Sequence, residues 1–135
     1  MKGMVNVSID EHKLLVRRFY EEVAGGGDLD LLDEIASEGM TDHFAMAMGL
    51  GSGRRGFRSH VMALRRNVPD LHAEVNELIG EADVVVAYWT ASGIAVGPLL
   101  GVEPTGRPFT LEGISKFRFA DGQIVEYQTM VGPLS

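Results

Sequence analysis

The sequence predicts an α+β fold, with three helices gathered on one side of a curved antiparallel sheet. Apolar residues follow helical spacing through the first half of the 135-residue chain, and after Pro69 they alternate with polar residues, as in half-buried strands. Helices followed by a run of strands are typical of α+β domains. The length suits one domain spanning residues 1–135, because a chain of this size can bury a substantial core.

The first two helices are predicted from cap residues and apolar stripes. Residues 8–27 begin with Ser8 three positions before Glu11, a capping-box pattern, and end in three consecutive glycines. Residues 28–36 form the second predicted helix, with Asp28 as its cap. The predicted buried side of this second helix consists of Leu31, Leu32 and Ile35.

A short strand, a flexible loop and a third helix come next. The segment "MTDHFAMAMGLGSG" is apolar and then rich in glycine, which predicts a short strand running into a loop. The third helix lies within residues 54–70, where Phe57, Val61 and Leu64 form one helical stripe before Pro69 ends it.

Four strands are predicted in the second half of the chain. Each segment alternates or is continuously apolar, and glycine-containing turns separate them. The predicted strands are residues 71–79, 83–95, 107–119 and 123–131. A sheet of this kind, curled around helices, can keep a pocket at its open end. Met46 and Met48 in "FAMAMGLG" are adaptable side chains that could line a lipophilic cavity, although they could equally fill gaps in the core.

Charge and composition exclude several classes of protein. The net charge of −7 and the pI near 5.0 disfavour binding to nucleic acid or to an anionic membrane, because both depend on clustered Lys and Arg. The three arginine pairs all fall in predicted helices and favour solvated helix faces. The chain has no cysteine and no membrane-length apolar run, so we expect a cytoplasmic protein. The four histidines do not form a close-spaced ligand set, and we expect no metal site.

Four short motifs occur in an informative order: "VPDLH", "GEADVVV", "PTGR" and "FADGQIVE". With them, nearly the whole chain resembles the SnoaL-like polyketide cyclase family of the nuclear transport factor 2-like superfamily. The resemblance implies a cone-shaped α+β barrel with an apolar interior pocket, usually assembled as a dimer or tetramer. It also implies ring closure in polyketide precursors without a metal or an organic cofactor. Relatives hydrolyse epoxides, shift steroid double bonds or hydroxylate their substrates.

The chain departs from the family at its polar pocket positions. The aspartate that serves aldol cyclases as general base falls at Thr129, and threonine is far too weak a base to replace it. Ala95 stands where the family has a histidine, and Tyr88 where it often has an arginine. Ser115 replaces a polar acid or histidine, so that His43 is the clearest surviving polar position.

Strand alternation predicts a pocket lined by hydroxyls, aromatics and aliphatics. Tyr127 and Thr129 share one face of the last strand, and neighbouring strands extend that face. The predicted catalytic residues are His43, as a group that titrates near neutral pH, and Tyr127, as a donor to a substrate carbonyl. The predicted substrate-binding residues are Tyr88, Thr90, Ser115, Thr129, Met46, Phe57 and Leu111.

The sequence makes less specific predictions for the other histidines and for two aspartates. We expect His60 and His72 to serve in packing or on the surface. Asp42 should face away if His43 faces the pocket, although a pairing of Asp42 with Asp70, as in epoxide hydrolases of this superfamily, is the alternative.

These observations favour a cofactor-independent cyclase that binds a lipophilic polyketide and promotes ring closure. Without a strong base, the closure could be a cycloaddition in which shape and hydroxyl donors supply the acceleration. The alternatives are a noncatalytic binding module for a small ligand, and an epoxide hydrolase or isomerase of the same fold. The resemblance also implies a homodimer formed through the outer sheet face, where Trp89 is expected if Tyr88 lines the pocket.

Overall fold

A computed structural model describes residues 2–134, with side chains from Ser8 onward. Helix α1 (Lys2–Arg18) continues into a π-helical segment (Phe19–Ala24), and α2 (Leu29–Ile35) follows. The remaining elements are β1 (Ala36–Asp42), α3 (His43–Ala47), α4 (Gly53–Asn67), β2 (His72–Glu81), β3 (Val84–Gly93), β4 (Phe109–Ala120) and β5 (Gln123–Val131). The predicted α+β class and order of elements are confirmed.

The observed helix ends test the cap residues that the sequence predicts. Helix α1 begins before Ser8, so the predicted capping box is wrong, because Ser8 has no free helix end to cap. Asp28 is confirmed as the cap of α2: its carboxylate accepts a hydrogen bond from the amide of Leu31 at 3.0 Å. Leu31, Leu32 and Ile35 are buried, as their spacing predicts.

The five strands form one open sheet in the order β1-β5-β4-β3-β2. Strand β1 is parallel to β5, and the other neighbours are antiparallel. The helices pack against one face of this curved sheet, and the core lies between them. In the described residues, no helix is both long and apolar enough to span a membrane.

The register between β3 and β4 decides which side chains face the helices. Ala87 lies opposite Ser115, Tyr88 opposite Ile114, and Trp89 opposite Gly113. Trp89 is therefore buried on the inner face, whereas Tyr88 points outward. The predicted placement of Tyr88 and Thr90 in the pocket is wrong, and so is the placement of Trp89 on the outer face.

Gly113 supplies the physical reason for this orientation. A Cβ atom at Gly113 would collide with the six-membered ring of the Trp89 indole. The missing side chain leaves the space that the indole fills on the inner face. Thr90, on the outer face, instead accepts a hydrogen bond from the side-chain amide of Asn76 at 2.7 Å.

Candidate functional site

A largely apolar cavity of about 280 Å³ lies between the helices and the inner face of the sheet. Its wall combines aliphatic and aromatic side chains with a few polar groups. The residues that matter for its chemistry are Tyr20, His60, Trp89, Leu111, Tyr127 and Thr129. Cavities of this kind, with few convergent polar groups, are typical of small-molecule sites.

His60 contributes an imidazole to this wall, and a buried aspartate holds it in place. Its Nδ1 lies 2.8 Å from Oδ2 of Asp42, whose side chain is 1% exposed. A carboxylate can only accept in such a contact, so Nδ1 carries a hydrogen, and in the neutral imidazole Nε2 keeps its lone pair. The His60 ring stacks on Phe44, with ring centroids 4.4 Å apart. The imidazole is thus fixed in one orientation and one tautomer.

The start of helix α3 explains why Asp42 faces inward. Its Oδ1 accepts hydrogen bonds from the amides of Phe44 and Ala45, at 3.0 and 3.1 Å, and so caps the helix. The predicted flexible loop therefore begins with a helical turn. With one carboxylate oxygen on the helix end and the other on His60, the buried charge is fully hydrogen-bonded.

The predicted orientations of Asp42 and His43 are reversed. His43 is exposed, and its Nε2 lies 2.9 Å from a carboxylate oxygen of Glu126. Arg118 donates to the other oxygen of Glu126 at 3.2 Å, on the outer side of the sheet. The hydrogen bond from His43 is the main cause that lowers the pKa of Glu126. The cavity wall does not include His43.

A second polar cluster lies on β3, β4 and β5. The indole Nε1 of Trp89 donates to the hydroxyl of Ser115 at 2.8 Å, and Ser115 lies 2.8 Å from the hydroxyl of Thr129. Burial raises the pKa of Tyr127, although the neighbouring hydroxyls of Ser115 and Thr129 oppose this change. The hydroxyl of Tyr127 therefore stays protonated at neutral pH. The ring of Tyr127 lies 6.0 Å from that of His60, measured between centroids.

The other predicted binding residues divide between the cavity, the core and the surface. Leu111, Tyr127 and Thr129 line the cavity, and Ser115 lies behind Thr129. Phe57 is fully buried against Phe19 in the core.

Met46 does not line the cavity. It borders a separate, more polar surface groove of about 730 Å³, where Asp33 already pairs with Arg58 at 2.9 Å. Met48 and Leu50, later in the same apolar segment, do line the cavity.

Asp42 and Asp70 have different partners, which disfavours their pairing as two catalytic acids. The carboxylate of Asp70 accepts from the amide of Ile94 at 3.0 Å and is exposed.

Sequence reasoning missed His60, although a signal for it exists. It lies three residues after Phe57 and four before Leu64, so it continues the apolar stripe of α4. The position of Asp42 before "HFAMA" is likewise that of a helix cap. The link between the two residues is tertiary, and no spacing along the chain reveals it.

Comparison with known proteins agrees with the geometry. The family model for SnoaL-like polyketide cyclases matches residues 14–132. IdmH of Streptomyces antibioticus, proposed to be a polyketide cyclase, is 27% identical over 88% of this chain and 90% of its own, with a TM-score of 0.73. TsrD of Streptomyces laurentii is 26% identical over 93% and 88% of the two chains, with a TM-score of 0.75.

A third solved structure extends this agreement. A protein of Jannaschia sp. CCS1, proposed to be a SnoaL-like polyketide cyclase, is 25% identical over 90% of this chain and 85% of its own, with a TM-score of 0.75. A search of curated proteins found no match. The matched family model spans most of the chain, and the solved structures share its fold. The chain belongs to the SnoaL-like polyketide cyclase family.

Proposed function

We propose that the protein is a cofactor-independent cyclase that closes a ring in a lipophilic, polyketide-like substrate by acid–base chemistry. The observation that carries this proposal is the buried Asp42–His60 pair in the wall of an apolar cavity. A base oriented by a buried carboxylate is the arrangement that histidine-dependent enzymes use. Family membership supports the class of reaction, and the pair supplies the base that Thr129 lacks.

His60 would begin the reaction by removing a proton from a carbon next to a substrate carbonyl. Its Nε2 is the ring nitrogen available to the cavity, because Asp42 occupies Nδ1. The resulting enolate attacks a second carbonyl carbon of the same molecule, forming the new carbon–carbon bond. The second carbonyl oxygen becomes an alkoxide and takes back the proton from the imidazolium, so that no group is gained or lost.

Tyr127 would stabilise the oxygen on which negative charge develops. Its hydroxyl remains a neutral donor because burial raises its pKa, and its ring stands close to His60. A preorganised donor in a water-poor site favours the charged transition state over the neutral ground state. This role retains the function expected of Tyr127 from the sequence.

The cavity wall favours a neutral, apolar substrate. Among the described residues, no Lys, Arg, Asp or Glu lines the cavity. A substrate carboxylate would lose its hydration there without gaining a cationic partner. The reacting part of the substrate is therefore an uncharged chain or ring bearing ketone, ester or similar groups.

Thr129, in place of the catalytic aspartate, suggested a cycloaddition that needs no base. The oriented imidazole of His60 instead favours ring closure by acid–base chemistry. It also favours an enzyme over a noncatalytic binding module, since capping α3 uses one oxygen of the buried Asp42 carboxylate and does not explain the bond of the other oxygen to His60. Buried ionic groups are costly unless they are well paired.

The test uses linear polyketide precursors from the synthase encoded nearest the gene, followed by mass spectrometry and chromatography. The wild-type protein should accelerate cyclisation, and His60→Asn should reduce the rate by about 10²- to 10⁴-fold. A chelator should leave the rate unchanged, because the proposal uses no metal. Equal rates with and without the protein, across all precursors, contradict the proposal; saturable binding without turnover supports the binding module instead.

Cytoplasmic location and homodimer formation belong to the same proposal. The absence of cysteine fits a reducing compartment.

Tyr88, Ile114 and Met130 lie in one row across three neighbouring strands of the outer sheet face. Their exposed fractions are 38%, 49% and 78%. Burying such an apolar row away from water is favourable, and a second copy of the chain would bury it symmetrically.

A further inference from the structure

Tyr20 presents a buried hydroxyl that the proposed mechanism leaves unused. Its side chain is 4% exposed and contributes to the cavity wall. Its oxygen has no hydrogen-bond partner in the part of the chain that the structure describes. Buried hydroxyls are nearly always paired, because an unpaired one loses its hydrogen bonds to water and gains none in exchange. The Tyr20 oxygen itself has almost no accessible surface, so a ligand oxygen can pair with it once the neighbouring hydroxyls shift.

The hydroxyls nearest to Tyr20 belong to Ser115 and Tyr127, and neither satisfies the Tyr20 hydroxyl. Burial raises the pKa of Tyr20 well above the usual value; the nearby Tyr127 raises it further and the Ser115 hydroxyl lowers it, so both side chains lie beside the Tyr20 hydroxyl. Neither forms a hydrogen bond of acceptable geometry with it. Ser115 already accepts from Trp89 and pairs with Thr129. In the described structure, the Tyr20 hydroxyl therefore donates no hydrogen bond.

The local backbone holds Tyr20 in place. Residues Phe19–Ala24 form a π-helical segment, a rare conformation that occurs mostly as single turns and often at functional sites. The Tyr20 ring packs on the Trp89 indole at 5.8 Å and on the Phe117 ring at 5.9 Å, measured between centroids. Its hydroxyl is thereby directed to the cluster of hydroxyls on the sheet.

We propose that Tyr20 is a specificity-determining residue, whose hydroxyl donates a hydrogen bond to a carbonyl oxygen of the ligand. This inference rests on the proposed function only in taking the cavity as the substrate site. Ser115 and Tyr127 enclose the Tyr20 hydroxyl, so the ligand oxygen joins their cluster through a small rearrangement of hydroxyls. The site thus takes a neutral carbonyl compound and discriminates against a hydrocarbon of the same shape.

The experiment compares 2-tetralone with tetralin, which have the same two-ring skeleton and differ in the carbonyl. Trp89 is the single tryptophan and stacks on Tyr20, so its fluorescence reports binding directly. The wild-type protein should bind 2-tetralone about three- to tenfold more tightly than tetralin, the range of one net neutral hydrogen bond. Tyr20→Phe should remove this preference through weaker ketone binding, with the affinity for tetralin unchanged.

Stability separates a role toward the ligand from a structural role. Because the Tyr20 hydroxyl makes no internal hydrogen bond, Tyr20→Phe should unfold in urea at the same or a higher midpoint. The matched control is Tyr88→Phe, which removes a hydroxyl on the outer face of the sheet, away from the cavity, and should leave the ketone preference unchanged. His60→Asn should keep the ketone preference, so that loss of catalysis is distinguishable from loss of carbonyl recognition.

Several results would overturn the proposal. One is equal binding of the ketone and the hydrocarbon by the wild-type protein; another is a ketone preference that survives in Tyr20→Phe. A lower unfolding midpoint or a failure to fold in Tyr20→Phe assigns the hydroxyl a structural role and also counts against it. Infrared spectroscopy of bound 2-tetralone gives a second measurement on the wild-type protein. Its carbonyl stretch should move to lower frequency, and an unshifted band means that no donor reaches the oxygen.

Discussion

At the scale of single residues, the proposed chemistry depends on which nitrogen of His60 carries its hydrogen. The carboxylate of Asp42 fixes that hydrogen on Nδ1. An asparagine at position 42 could still cap α3 through its amide oxygen, but its NH₂ group would then face His60. The imidazole would respond by accepting at Nδ1 and carrying its hydrogen on Nε2, where it cannot act as a base.

We therefore expect Asp42→Asn to fold and to lose about 10²- to 10⁴-fold in kcat, with a smaller change in KM. Nitrogen-15 NMR of the histidine ring should show the tautomer change, which loss of packing alone would not produce. The matched control is His43→Asn, which removes an exposed histidine from its contact with Glu126. Its activity should match that of the wild type; a comparable loss in His43→Asn would restore the sequence-based assignment of His43.

His12 provides a test of pH-dependent stability at the residue scale. Burial lowers its pKa, opposed by the charges of Glu11 and Asp83, and its Nδ1 is buried without a partner in the described structure. The folded protein thus favours neutral His12, whereas the unfolded chain takes up a proton near pH 6.5. The contribution of His12 to stability should be constant above that pH and should fall as the pH decreases from it through the lowered pKa.

His12→Phe should reduce this pH dependence, because phenylalanine keeps the stack on Phe119, 4.1 Å away between centroids, and does not titrate. Urea unfolding of both proteins at about pH 8 and about pH 5 measures the difference. The wild type should lose more stability between the two conditions than the variant. Identical losses would mean that His12 does not contribute.

At the scale of elements, the pairing of β3 with β4 sets the composition of the cavity wall. Gly113 lets the Trp89 indole lie flat on the neighbouring strand, where it reaches Ser115. We expect Gly113→Ala to destabilise the fold by about 1 to 3 kcal/mol, because the added methyl group forces the buried ring to move.

Gly39→Ala is the matched control for this prediction, since a Cβ at that position on β1 meets no atom within 4 Å. Urea unfolding should place this variant within about 0.5 kcal/mol of the wild type. If Gly113→Ala is as stable as Gly39→Ala, Gly113 is not what keeps Trp89 on the inner face.

The elements themselves were largely predictable, because their signals are local. Asp28 and the stripe of Leu31, Leu32 and Ile35 specify α2, and alternation specifies β2 to β5. Which side chains point to the inner face of the sheet was not predictable in the same way. Tyr88 and Trp89 are both large amphipathic residues, and only the cross-strand partner Gly113 decides which of them points inward. His60 was missed for a related reason, since its partner Asp42 is eighteen positions away on another element.

At the scale of the whole molecule, the sheet offers two different faces. The inner face holds the cavity, and the outer face carries the apolar row of Tyr88, Ile114 and Met130. Light scattering at micromolar concentration should report about twice the chain mass of 14.7 kDa. Ile114→Glu should shift the mass toward that of the monomer, because two like charges would meet near the twofold axis. A wild-type monomer throughout that range excludes the interface.

The proposed role of His60, held by Asp42 in an apolar cavity, is to remove a proton from carbon. Deuterium uptake tests it without the natural substrate. In heavy water, NMR follows exchange at the carbon beside the carbonyl of 2-tetralone, with the wild-type protein and with His60→Asn. We expect that the wild type accelerates exchange and that His60→Asn lowers the acceleration by about a hundredfold or more. Equal exchange rates for the two proteins, with 2-tetralone bound to both, would contradict it.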